Sequence, residues 1–126
     1  MVSYRMEHRH SLLKSFRFAI NGLKGVILQE RNFKIQLFIG MLAVILGFAL
    51  KLNLSEWLNL VAIITLVLIL ELVNTSIEEI VDLISPEFRE KAKIAKDVAA
   101  ACVLVASMGS IIIGALLFLP KLKILF

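Results

Sequence analysis

From Trp57 to Leu70 the chain runs through a stretch rich in Leu, Ile and Val. It then passes, with no turn residue between, into Glu71, Asn74, Thr75, Glu78 and Asp82. Offsets of 0, 3, 4, 7 and 11 place these five on one face of a single α-helix. Few folds accommodate such a join. A run this apolar can enter a bilayer, and an acid at membrane depth is costly unless it faces protein, water or a ligand. Carboxylates on one stripe with an amide between them suit a metal–phosphate site at a membrane surface.

Composition agrees with a membrane location. The chain is 126 residues long, 60% hydrophobic, with a mean hydropathy of +0.91, well above ordinary soluble composition. Its length is that of one domain, residues 1–126. With only Gly 6 and Pro 2 to interrupt it, the expected class is an all-α membrane protein. The single Cys102 excludes an intramolecular disulfide and reads as a packing residue. No cleavable signal peptide is visible in the opening MVSYRMEHRH, and His8 and His10 there find no second cluster that would suggest a metal site. The net charge of +4 comes from basic residues that flank apolar runs. That distribution reads as topology and lipid contact, and argues against nucleic-acid binding.

Along the chain, residues 11–30 predict an amphipathic helix. Leu12, Phe16, Ile20, Leu23 and Ile27 share one face, with Lys14, Arg17, Asn21 and Lys24 elsewhere, a pattern suited to lying in the membrane interface. Three transmembrane helices are expected at 34–52, 57–84 and 97–119, the first apolar apart from Lys34, Gln36 and Lys51. Ser55 is a candidate N-cap for the second span and Trp57 an interfacial aromatic. The second span, at roughly 42 Å, exceeds a hydrocarbon core of roughly 30 Å, so its Glu78–Asp82 end should reach water. Ser85-Pro86 breaks that helix, Glu87 to Lys96 forms a charged connector, and Pro120 ends the third span. Gly109, Gly114 and small residues such as Ala106, Ser107 and Ser110 would permit close helix approach.

Orientation follows from the Lys and Arg residues. Seven of the 14 precede or include Lys34 and four lie between Glu87 and Lys96, whereas the first-to-second connection has only Lys51. The N-terminus and the connector are therefore expected in the cytoplasm, with the acidic end of span two beside them.

Glu30, the Glu71–Asp82 stripe, Lys96 and Asp97 should gather at that surface. Hard oxygen ligands suit Mg²⁺, with Glu30 and Glu78 the natural pair, and a lysine can neutralise charge on a transferred phosphoryl group. Glu71, the deepest carboxylate, could accept the proton of an attacking hydroxyl. Plainer roles exist: Glu30 as a solvated charge, Lys96 as an interfacial anchor, Asp97 as an N-cap, and Glu79, Glu87 and Glu90 as solvated charges. No glycine-rich phosphate loop of the soluble nucleotide-binding kinds occurs. The residues alone leave two readings, a metal-assisted enzyme at the membrane interface or an ion-coupled transporter using Glu71 as relay.

The segments ELVNTSIEEIVDL (71–83) and KIAKDVAAA (93–101), with ERNFK (30–34) and IIIGALLFLPKL (111–122), resemble the small prokaryotic membrane lipid kinases, the diacylglycerol kinase/undecaprenol kinase family. The likeness covers nearly the whole chain. It implies a homotrimeric helical bundle in the bacterial cell membrane, each protomer with one surface helix and three transmembrane helices, and composite sites at the cytoplasmic interface. It implies transfer of the ATP γ-phosphate to a lipid hydroxyl. Glu71 would be the catalytic base, and Glu30 and Glu78 the Mg²⁺ ligands. Asn74, Asp82, Lys96 and Asp97 would shape the ATP site, with Glu87, Phe88 and Arg89 near the nucleotide. Asp82-Leu83 and the A-K-D-V-A-A-A run look like the Gram-positive branch, which acts on undecaprenol; the Gram-negative branch has Asp-Arg there and acts on diacylglycerol. Three positions depart from the pattern. Ser11 stands where a basic residue is expected, leaving Arg9, Lys14 or Arg17 to serve. Phe18, at the nucleotide side, replaces a Tyr of the Gram-negative branch, and Ala101 replaces a Gly.

Overall fold

The computed structural model describes residues 11–126, so the expectations for His8, His10 and Arg9 fall outside it. Four helices follow one another: α1 (Leu12–Gln29), α2 (Arg31–Ala49), α3 (Leu54–Ile84) and α4 (Glu90–Leu125). They belong to two compact bodies, residues up to Arg31 and Asn32–Phe126, each described by itself.

In the first body, Ser11 caps α1 by accepting the Lys14 backbone N–H at 3.3 Å. No residue of α1 is buried, and its apolar stripe of Leu12, Phe16, Ile20 and Leu23 stays exposed.

In the second body, α2, α3 and α4 are each long and apolar enough to cross a membrane. At 31 and 36 residues, α3 and α4 are about 46 and 54 Å long, well beyond the hydrocarbon thickness. They pack along Leu60, Val67, Glu71 and Asn74 of α3 and Ala99, Val103 and Ala106 of α4, residues buried at helical spacing. Close approach in α2 falls at Gly40 and Gly47. A Cβ on Gly40 would lie 3.1 Å from Ile64, and one on Gly47 would lie 2.9 Å from Trp57. Gly109 and Gly114, expected to serve this purpose, have, among the described residues, nothing beyond their own stretch of helix within 4 Å of an added Cβ.

The α2–α3 turn is closed at both ends. Lys51 adopts the left-handed region (φ 53°), and the Lys51 and Leu52 N–H groups donate to the carbonyls of Phe48 and Gly47, a Schellman closure. The helix thus stops at Ala49, before the expected 52. Helix α3 then starts at Leu54, capped by Asn53 and not by Ser55. Asn53 Oδ1 accepts the Glu56 N–H and Glu56 Oε2 accepts the Asn53 N–H, both at 2.9 Å. This reciprocal box needs a Glu three residues past the cap, which Asn53 has and Ser55 lacks.

Two boundaries on α4 also differ from expectation. The helix begins at Glu90, so Asp97 lies inside it and is no N-cap. It also runs through Pro120 to Leu125. A membrane helix tolerates the lost N–H, and Lys121 just beyond it reaches Glu56 at 3.0 Å.

Candidate functional site

The carboxyl half of α3 holds the site. Glu71 and Asn74, one turn apart, are 5% and 9% exposed, the two polar side chains buried among the described residues. Asn74 Nδ2 donates to Glu78 Oε1 at 3.2 Å, one further turn along. Since Glu78 can only accept, this bond fixes which end of the amide is nitrogen. Asn74 Oδ1 is left buried with no hydrogen-bond partner among the described residues. An unmet buried acceptor costs about 1–3 kcal/mol, so this oxygen calls for a donor such as a water or a bound ligand. Thr75 and Ser76 turn their hydroxyls back onto the carbonyls of Glu71 and Leu72, at 3.0 and 2.9 Å. Thr75, counted with the stripe, is thus occupied by its own helix.

Glu71 and Asn74 open into a groove of about 320 Å³ between the helices, which Gln36 and Ser107 also line. Gln36 Nε2 donates to Ser107 Oγ at 3.2 Å, joining α2 to α4. Neither residue stands out in the acidic pattern. The available signal was one Gln interrupting an apolar run and one Ser far along another, polar groups that need partners at membrane depth.

Beyond the stripe lies a second recess of about 330 Å³, between the end of α3 and the start of α4. Asp82, Glu87, Phe88, Arg89 and Lys96 all line it, so five expected nucleotide residues share one surface. Lys96 is ion-paired there with Asp82, so it meets a carboxylate of the same recess. Asp97 is outside the lining and pairs with Lys93 at 2.6 Å on exposed surface. Phe18 and Glu30 belong to the first body. Phe18 is 55% exposed, while Glu30 is half-buried with its backbone N–H on the Val26 carbonyl.

The donor set can be tested for a cation. Among the described residues no three His, Cys, Asp or Glu side chains gather as a cage. One or two carboxylates, such as Glu78, would share a cation with phosphate oxygens and water, the arrangement Mg²⁺ usually takes. The residues fit that ion.

Residues 17–118 match the family model described as prokaryotic diacylglycerol kinase. The undecaprenol kinase of Bacillus subtilis is 41% identical over 119 residues, covering 92% of this chain and 97% of that protein. The diacylglycerol kinase of Synechocystis is 41% identical over 113 residues, covering 89% of this chain but 65% of that longer protein. The diacylglycerol kinase of Haemophilus influenzae is 32% identical over 108 residues.

Proposed function

The chain belongs to the prokaryotic diacylglycerol kinase family, and from that premise we propose that the lipid it phosphorylates is undecaprenol, giving undecaprenyl phosphate. As a lipid kinase of a bacterial membrane it uses ATP as co-substrate. The observation that carries the reading is the pair of buried polar groups, Glu71 and Asn74, opening on a groove inside an apolar helix body. The choice of lipid is supported by the near end-to-end match to the Bacillus protein and by Leu83 directly after Asp82. Diacylglycerol is the alternative acceptor.

Glu71 takes the proton of the lipid hydroxyl as that oxygen attacks the γ-phosphorus, and the bond from that phosphorus to the β,γ-bridging oxygen breaks, releasing ADP. Such transfer needs mainly positioning and charge stabilisation, so few groups suffice. Asn74 steadies the Glu78 carboxylate, and Glu78 with Glu30 would hold Mg²⁺. When bound, that ion neutralises charge on the phosphate oxygens. The recess containing Asp82, Glu87, Phe88, Arg89 and Lys96 takes the nucleotide, and Asp97 and Phe18 are further candidates for contact with it. The Lys and Arg bias supports a cytoplasmic location for this end and for the N-terminus. The bare apolar stripe of α1 suits a helix lying on that membrane surface. Large exposed side chains on α2 and α4, Phe38 and Leu104 among them, suit contact with lipid and with the other copies of a homotrimer.

The test is phosphoryl transfer from labelled ATP with Mg²⁺ by purified protein in detergent, with undecaprenol and dioleoylglycerol offered separately. Preference for undecaprenol is expected. Preference for the glyceride overturns the choice of lipid, and ATP-independent ion flux without transfer to either overturns the kinase chemistry.

A further inference from the structure

Gln36 lines two spaces at once. One is the groove of Glu71 and Asn74; the other is a cavity of about 230 Å³ deeper in the helix body, walled by Leu60, Ile64, Val67, Ile111 and Phe118 among others. Apart from Gln36, the one polar side chain on that cavity is Ser110, whose hydroxyl donates to the Ser107 carbonyl at 2.6 Å. Gln36 Nε2 donates to Ser107 Oγ. Gln36, Ser107 and Ser110, on the way inward from that groove, therefore each bond within the protein.

We propose that the Gln36–Ser107 hydrogen bond is a specificity determinant: it holds the one amide at the junction towards α4, so that the path inward from Glu71 suits an acceptor whose only polar group is its hydroxyl. This rests on the lipid-kinase reading of Glu71. The occupant of the deeper cavity is the first part of a prenyl chain, hydrocarbon immediately behind the reacting alcohol. A diacylglycerol carries ester carbonyls beside its hydroxyl, which are acceptors only. Buried at this junction they need a donor or suffer desolvation without compensation. Gln36 Nε2 has a second hydrogen, but the Ser107 bond fixes the plane of the amide, so turning a donor onto an ester carbonyl means breaking that bond. Discrimination arises from a cost against the wrong lipid more than from a contact with the right one.

Ser107→Ala removes the hydroxyl and releases the Gln36 amide. Gln36→Leu breaks the same inter-helix bond but releases no amide, since a lone Ser107 hydroxyl can turn back to its own helix carbonyls. The experiment measures kcat/KM for undecaprenol and for dioleoylglycerol in each variant of the full chain. The ratio of the two is the readout, so a general loss of activity cancels. Ser107→Ala is expected to raise the glyceride-to-prenol ratio about fivefold or more, whereas Ser107→Thr, which keeps the hydroxyl, and Gln36→Leu leave it near the wild-type value. Ser107→Cys, nearly isosteric and a poor acceptor, makes the same test if the alanine variant does not fold. An unchanged ratio in the release variants, or an equal rise in Gln36→Leu, overturns the proposal. If the wild type prefers the glyceride yet Ser107→Ala still shifts the ratio, the specificity pair stands and undecaprenol as substrate falls.

Discussion

Asn74 and Glu78 sit one turn apart on α3, the amide nitrogen of the first 3.2 Å from a carboxylate oxygen of the second. The bond has two consequences. It orients Glu78, and it leaves Asn74 Oδ1 buried with no donor among the described residues. A residue kept only for stability would not be arranged so, because a hydrocarbon of similar shape would avoid the unmet acceptor. Asn74→Leu is therefore expected to abolish transfer while leaving thermal stability equal or higher, by up to about 1 kcal/mol. Unfolding in detergent and turnover, measured on one preparation, check it; a large fall in stability would make Asn74 structural.

If Asn74 acts by holding a Mg²⁺ ligand, shortening it to Ala should act through the metal. Loss of such a supporting bond typically weakens metal binding about 10–100-fold. The Mg²⁺ concentration for half-maximal activity should rise by about tenfold or more in Asn74→Ala, with partial recovery at high Mg²⁺. An unchanged Mg²⁺ dependence would detach Asn74 from the metal.

Glu71→Gln keeps the shape of the side chain and removes the proposed base. The expected loss in kcat is about 10²–10⁴-fold, the usual worth of general base catalysis. Binding of ATP, followed by a fluorescent analogue, should stay near wild type. Weakened nucleotide binding with normal turnover would reverse the assignment.

How much of this was legible beforehand depended on whether the signal was local. Glu71, Asn74, Glu78 and Asp82 follow helical periodicity, so one run of sequence sufficed to place them on a stripe. Gln36 and Ser107 are 71 residues apart, and no periodicity links them; only packing brings α2 to α4. The glycines show the same limit. Gly109 and Gly114 look like packing sites by composition, but contact depends on which face meets a neighbour, and that face carries Gly40 and Gly47. Asn53 is legible in principle, since Glu56 completes its box, but Ser55 sits nearer the apolar run and puts the expected cap two residues late.

Those glycines give a test of packing. A methyl on Gly47 meets Trp57 at 2.9 Å and Leu52 at 3.0 Å, inside a turn where Trp57 also packs on Phe48 with ring centroids 4.7 Å apart. Gly47→Ala should destabilise by about 1–3 kcal/mol, the usual cost of overpacking. Gly109→Ala and Gly114→Ala should be neutral or mildly stabilising through helix propensity. A marked loss at either of the last two would locate a second copy of the chain against that face of α4.

The Asp82–Lys96 pair separates a stabilising role from a functional one. The side chains are 62% and 37% exposed, and ion pairs so open to water add little to folding. They line the recess of Glu87, Phe88 and Arg89, and the role proposed for them is to hold a cation where nucleotide phosphates would arrive. Lys96→Met is therefore expected to leave the unfolding midpoint near wild type and raise KM for ATP about tenfold or more, the scale of one charge-assisted hydrogen bond. Asp82→Asn should raise it less, because the lysine remains but is no longer held. In the double variant the two effects should not add, since Asp82 acts through Lys96. Additive effects on KM would show that each meets the nucleotide separately, and a lowered midpoint in Lys96→Met would make the pair a structural clasp between α3 and α4.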